Sequence, residues 1–209
     1  IDETTRIAFI CNPNNPTGTA VGRDAIARFV EAAPKDLLIV IDEAYCEFVD
    51  PDTIPDGLDF YREHENVAVL RTFSKAYGLA ALRVGYCIAN EAIAEALRKV
   101  QVPFGVNSIA QAAAIASLHA EEELLERVQA IRVERTRVEA GLLAAGLKPS
   151  DSEGNFVWMR LGERTMAFAA GCDAIGLSVR PFDGEGVRIT IGEPEANSRL
   201  IEFAESWRE

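Results

Sequence analysis

Apolar residues along the chain gather in short runs separated by polar, turn-forming clusters. Thr5–Cys11 is β-branched and apolar, and it stops at Asn12-Pro13-Asn14-Asn15-Pro16-Thr17-Gly18. Arg23–Ala33 has the spacing of an amphipathic helix. Leu37–Ile41 is an unbroken apolar run, as expected of a strand buried on both faces. Val67–Leu70 and Val84–Ala89 are two more such runs. Short apolar strands with at least one helix between them predict a parallel α/β sheet.

The second half has a different rhythm. Asn107–His119 is alanine-rich and helical in character. Glu121–Leu142 carries Leu124, Val128, Ile131, Val138 and Leu142 at a three-and-four spacing, which predicts one long amphipathic helix ended by Gly146 and Pro149. Short strands are predicted at Phe156–Leu161, Leu177–Arg180 and Val187–Ile191, with a helix near Arg164–Ala170. Pro194 suits the first position of a last helix. The pattern predicts a smaller α+β domain joined through the long helix.

Composition narrows the function classes. The 209 residues are 48% hydrophobic, enough for a packed core. Lys and Arg number 21 against 33 Asp and Glu, a net charge of −12, which disfavours nucleic acid and anionic membranes as partners. The longest apolar stretches, such as Leu37–Ile41 and Ala110–Ala116, are too short to span a bilayer, and no secretion signal is visible. Cys11, Cys46, Cys87 and Cys172 are widely spaced, and His64 and His119 are the only histidines, so no metal site is expected. Reduced thiols fit a cytoplasmic setting. The histidines and the acidic C-terminal residues Glu205 and Glu209 read as solvated surface. Because Ile1 stands just before the apolar run Ile7–Ile10, the chain reads as the C-terminal portion of a longer protein.

Three segments carry candidate chemistry. In Arg71-Thr72-Phe73-Ser74-Lys75-Ala76-Tyr77-Gly78 a lysine follows a buried strand among small and hydroxylated residues. Partial desolvation there would lower its pKa and free the amine for Schiff-base chemistry. Thr72, Ser74 and Arg83 are phosphate-binding groups around it. In Ile41-Asp42-Glu43-Ala44-Tyr45, Asp42 lies at the C-terminal edge of a strand, where open α/β sheets bind ligands. A carboxylate there can pair with a cationic ring nitrogen or cap a helix. The asparagine–proline cluster, alone, is a turn.

Taken in order, these strand-end segments resemble the fold-type I aminotransferases that use pyridoxal phosphate, and within them the histidinol-phosphate and aromatic-amino-acid branch. The likeness extends through Val102–Ser108, Gly154–Trp158 and Val179–Thr190. It implies an α/β, aspartate-aminotransferase-like fold, with residues 1–119 in a partial large cofactor-binding domain of mainly parallel sheet. Residues 120–209 would form the connecting helix and a small C-terminal α+β domain. It implies that Lys75 bonds to the cofactor and shuttles a proton. Asp42 would pair with the ring nitrogen, while Tyr45 and Asn15 would bond the ring's phenolic oxygen. Arg83, helped by Thr72 and Ser74, would hold the phosphate. Arg188 would clamp the substrate carboxylate, supported by Asn155.

Arg180 has two readings. In the histidinol-phosphate branch an arginine near this position helps hold the substrate phosphate. Here Arg180-Pro181-Phe182, with Phe104 and Trp158, looks more like aromatic or phenylalanine aminotransferases. Core packing would explain Phe104 and Trp158 as well. The implied reaction moves an amino group between an aromatic amino acid and 2-oxoglutarate, with histidinol phosphate as the alternative donor. A decarboxylase of the same fold and an effector-binding domain of a transcription regulator are further alternatives; the latter needs a basic DNA-binding segment that these residues lack. Ala81 departs from the usual glycine. The family's Gly-rich phosphate loop, its ring-stacking aromatic and a tyrosine that reaches the partner's cofactor are missing from these residues. The full-length protein is therefore expected to be an active homodimer, and this chain alone to be crippled.

Overall fold

The computed structural model describes residues 1–207, which fall into two compact units. The first comprises Ile1–Pro13 and Ala20–Leu125, the second Asn14–Thr19 and Glu126 onward. Glu209 lies outside the described residues.

The first unit is built on a four-stranded sheet in the order β1 (Ile7–Cys11), β2 (Leu38–Asp42), β3 (Val67–Thr72), β4 (Gly85–Ile88). The first three strands are parallel, with Ile7 opposite Leu38 and Ile39 opposite Val67. β4 runs antiparallel to β3, a direction that a four-residue apolar run does not encode. Ile39, Val40 and Ile41 are all buried, in keeping with the unbroken apolar run. Helices α1 (Arg23–Ala32) and α2 (Gly57–Glu63) cover one face of the sheet: Ile26, Val30 and Phe60 pack on Ile39, Ile41 and Val67. A separate cluster joins Phe73, Val84, Ala110 and Ala114.

Helices α2 and α3 (Glu91–Val100) are absent from the periodicity reading. Their ends carry local signals: Asp56 caps α2 by accepting from the Leu58 N–H at 2.7 Å, and Asn90 caps α3 by accepting from the Ile93 N–H at 3.0 Å. The alanine-rich α4 is Ser108–His119.

The second unit packs a three-stranded antiparallel sheet, β5 (Phe156–Arg160), β7 (Gly186–Thr190), β6 (Arg180–Phe182) in spatial order, against helices. These are α5 (Glu121–Ala144, most of it in this unit), α6 (Thr165–Ala174) and α7 (Pro194–Ser206). Its core is Val138, Leu142, Val157, Met159, Phe168, Val187 and Leu200. The long helix ends as predicted: Gly146 is left-handed at φ +85°, and the Leu147 N–H reaches back to the Leu142 carbonyl at 3.0 Å.

The strand expected at Leu177–Arg180 is displaced to Arg180–Phe182. Leu177 and Val179 alternate like strand residues, but they pack on the core cluster from the loop after α6. β6 is an edge strand, so Pro181, which has no N–H to give, is tolerated within it. No helix among the described residues is long and apolar enough to cross a membrane.

Candidate active site

In the first unit the candidate residues collect where β2 and β3 end. Successive strand residues face opposite ways, so Asp42 and Thr72 lie on the face opposite the α1–α2 core. Asp42 Oδ1 accepts from the Ala44 N–H at 3.2 Å, which bends the chain out of β2 and brings Tyr45 into a buried position. Lys75 Nζ stands 5.3 Å from the centre of the Tyr45 ring, a cation–π contact. Lys75 itself is exposed, which corrects the expectation of a partly desolvated amine. It sits on a turn beyond β3, and the burial predicted from the strand does not extend that far.

Thr72 ties this turn together. Its hydroxyl oxygen accepts from the Ser74 N–H at 3.0 Å, and its proton is directed to the Val84 carbonyl at 3.4 Å. Arg83 is exposed, has the left-handed φ of 54°, and donates from Nη1 to the Ala80 carbonyl at 2.8 Å. A non-glycine residue in that region carries backbone strain that its surroundings must hold. Beside the turn, Phe73 contacts Tyr77 and Tyr86 at 4.8 and 5.8 Å. Burial, with help from Glu47, pushes the Tyr77 hydroxyl up to about 12.

The second unit holds the rest. The turn Asn14–Thr19 belongs here, although it interrupts the first unit in sequence. Ser150 Oγ donates to the Thr17 carbonyl at 2.5 Å, and the Glu153 N–H to the Gly18 carbonyl at 2.8 Å. So seated, Asn15 Oδ1 accepts from Arg188 Nη1 at 2.6 Å. The Arg188 guanidinium also lies 5.2 Å from the Phe156 ring, and its Nε is buried with no hydrogen-bond partner. Asn155 immediately precedes β5, and its carbonyl accepts from the Ile191 N–H at 2.9 Å.

Arg180 is directly opposite Arg188 across β6 and β7, and Trp158 is opposite Arg188 across β5 and β7. Directly opposed residues share a face, so two guanidinium groups and an indole form one row. Arg180 is exposed, 5.4 Å over Phe182, and Phe182 meets Trp158 edge to face at 5.4 Å. Trp158 is buried whereas Phe104 is 99% exposed, so core packing accounts for the tryptophan and not for the phenylalanine.

Sequence reasoning passed over Glu43, Arg71 and Arg135. Arg135 is buried and donates to the Gly154 carbonyl at 2.8 Å, anchoring the loop that carries Asn155. Glu43, which is buried, and Arg71, which is half-buried, form an ion pair at 2.7 Å. For Glu43 and Arg71 the available signal is a charge of opposite sign at the end of each of two neighbouring apolar runs. His64 is half-buried, and His119 and Glu205 are exposed. Among the described residues, no group of three or more histidine, cysteine, aspartate or glutamate side chains is placed to hold a metal ion.

The family pattern described as aminotransferase class I and II matches residues 1–203. An aromatic amino acid aminotransferase of Streptomyces coelicolor is 58% identical over 208 residues, all of this chain and 58% of that protein. One from Mycobacterium tuberculosis is 53% identical over 208 residues, covering 59% of its length. The chain thus spans under two thirds of the curated relatives it matches. Among solved structures, a histidinol-phosphate aminotransferase from Sinorhizobium meliloti in complex with pyridoxal-5'-phosphate superposes with a TM-score of 0.85 at 31% identity, over 98% of this chain and 59% of that one. Aspartate aminotransferase from Thermotoga maritima gives 0.83 at 25% identity, over 97% and 56%. The chain belongs to the class I and II aminotransferases.

Proposed function

We propose that the protein of which this chain is part is a pyridoxal-phosphate-dependent aminotransferase that moves an amino group between an aromatic amino acid and 2-oxoglutarate. The observation that carries the reading is the meeting of Lys75, Tyr45, Asp42 and Thr72 at the ends of β2 and β3. The donor set suits the cofactor: an exposed primary amine, a carboxylate at a strand end, paired hydroxyls and a guanidinium. Arg188 suits a carboxylate, since its buried Nε has no partner while one Nη is already committed to Asn15. The aromatic relatives at 53–58% identity favour an aromatic donor.

When bound, pyridoxal phosphate supplies a reactive carbonyl and a cationic ring that takes up the electron pair left at a substrate α-carbon. Asp42 would hold a proton on the ring nitrogen. Tyr45 and Asn15 would orient the ring through its phenolic oxygen. Arg83, Thr72 and Ser74 would bind the phosphate, Arg83 as a planar fork. Lys75 Nζ would anchor the carbonyl carbon and, once displaced by the substrate amine, take the α-proton and return it. Arg188 would fix the α-carboxylate, with Asn155 steadying it. Arg180 would meet the second charged group of 2-oxoglutarate. The working protein is a cytoplasmic homodimer in this reading.

The row Arg180–Arg188 supports a second reading, in which histidinol phosphate is the donor and the paired guanidinium groups take its phosphate. Two measurements test these readings. Visible absorption with added pyridoxal phosphate, borohydride reduction and peptide mapping are expected to place the adduct on Lys75; label confined to other lysines overturns that role. Turnover of phenylalanine against histidinol phosphate by the full-length protein separates the donors. Selective damage to the phosphorylated substrate in Arg180→Ala favours the second reading.

A further inference from the structure

Behind the proposed cofactor face lies a closed ionic network. Glu43 follows Asp42 and Arg71 precedes Thr72, so strand alternation turns both toward the face covered by α1 and α2. Glu43 Oε2 accepts from Arg71 Nε at 2.9 Å and Nη2 at 2.7 Å, while Oε1 accepts from the Gly57 N–H at 2.5 Å. Arg71 Nη2 also donates to Asp56 Oδ1 at 2.7 Å, the same oxygen that caps α2. The Glu43 side chain is 3% exposed and that of Arg71 18%. A Cβ on Gly57 would stand 2.8 Å from Glu43 Oε1, so the glycine lets the carboxylate reach the helix terminus.

A buried ion pair is a poor way to gain stability, because its desolvation offsets most of its attraction, and an apolar pair of similar volume often serves as well. This face already has an apolar core in Ile39, Ile41, Phe60 and Val67. What the network adds is direction. The guanidinium fork and the helix terminus fix one carboxylate from two sides, joining the ends of β2, β3 and α2. The Glu43 N–H to Leu70 carbonyl bond, at 2.9 Å, closes the same join along the backbone.

We infer that Glu43, Arg71 and Asp56 form a positioning network that holds Asp42 and the Thr72–Lys75 turn in their binding arrangement before the cofactor arrives. The inference rests on the pyridoxal-phosphate reading of the site. Its members touch neither cofactor nor substrate; they act through Asp42, Thr72 and Lys75.

The test compares the full-length parent protein with its Glu43→Gln, Arg71→Lys and Val30→Ala variants at a temperature where circular dichroism shows all four folded. Pyridoxal phosphate is titrated by visible absorbance. Glu43→Gln and Arg71→Lys are expected to raise its Kd about tenfold or more. Val30→Ala, a cavity in the core of the same face, lowers Tm and leaves Kd unchanged. Equal Kd values in the parent and both network variants overturn the inference, as does a matching rise in Val30→Ala. Amide hydrogen exchange of the parent decides the matter if the network variants do not fold. Slow exchange at Glu43–Tyr45 and Phe73–Lys75 without cofactor is expected, and protection that develops only on adding it overturns the inference. A parent protein with no adduct on Lys75 overturns the cofactor reading itself, and this inference with it.

Discussion

Arg188 Nη1 donates to Asn15 Oδ1 at 2.6 Å across 173 residues of chain. The bond leaves the rest of the guanidinium directed but uncommitted, with Nε buried and unpartnered. An arginine held at one corner loses less rotamer freedom when it binds a carboxylate than one that swings free. Asn15→Ala is therefore expected to weaken carboxylate binding about tenfold, roughly the value of one well-placed hydrogen bond to a charged group. Arg188→Lys, which keeps the charge and loses the fork, is expected to cost more. The readout is KM for phenylalanine against kcat in the full-length protein; an unchanged KM in both variants would refute the clamp.

Gly18 governs where Asn15 sits. Its φ is +74°, and a Cβ there would lie 2.1 Å from Ser152 Oγ and 3.1 Å from Ser152 Cα. Gly18→Ala adds a left-handed penalty to a clash with a buried, hydrogen-bonded serine. A loss of about 2–4 kcal/mol is expected, read from the urea midpoint.

The sequence shows the apolar strands plainly because Ile39–Ile41 of β2 and Val67–Val69 of β3 are buried on both faces and carry no polar residue. It shows Asp42 and Lys75 because one directly follows the apolar run Leu37–Ile41 and the other stands soon after Val67–Leu70. It hides the adhesion of Asn14–Thr19 to the second unit, since that depends on Ser150 and Glu153, some 135 residues away, and local patterns carry no such pairing. It misplaces β6 because Leu177 and Val179 alternate like strand residues while serving as loop contacts on a core. It passes over α2, a short helix marked chiefly by its cap Asp56, and α3, whose Ile93, Leu97 and Val100 recur at the helical spacing although none of them is buried. Lys75 is exposed because β3 ends three residues before it, so the burial that the strand confers does not reach it.

Acid should loosen the second unit through Glu134. Its carboxylate takes Arg137 Nη2 at 2.6 Å, Arg137 Nε at 2.9 Å and Asn197 Nδ2 at 2.9 Å. The Arg137 hydrogen bonds, chiefly, hold it below the ordinary glutamate value of 4.5. A carboxyl lowered in the folded state contributes stability above its unfolded pKa and loses it as pH falls through the folded one. The urea midpoint is expected to drop on acidification below about pH 4.5, with a shallower drop in Glu134→Gln. Parallel pH curves for the two proteins would count against this role. Burial acts in the opposite direction on Glu139, raising its carboxyl, so the difference between the two proteins is the quantity to read.

The opposed arginines make the sharpest case for a bound anion. Like charges directly across an antiparallel pair are destabilising by a few tenths to about 1 kcal/mol, yet Arg180 and Arg188 share one face of β6 and β7. Asn15 offers Arg188 a neutral partner, which does not cancel charge. An anion that bridges the two guanidinium groups removes the repulsion and stabilises the folded state by mass action. Tm is therefore expected to rise with inorganic phosphate beyond the rise given by chloride at equal ionic strength. Arg180→Gln is expected to abolish that excess while raising Tm slightly at low salt, where charge repulsion is least screened. Equal responses to phosphate and chloride, or a phosphate effect that survives Arg180→Gln, would show that the row holds its two charges without a bridging anion.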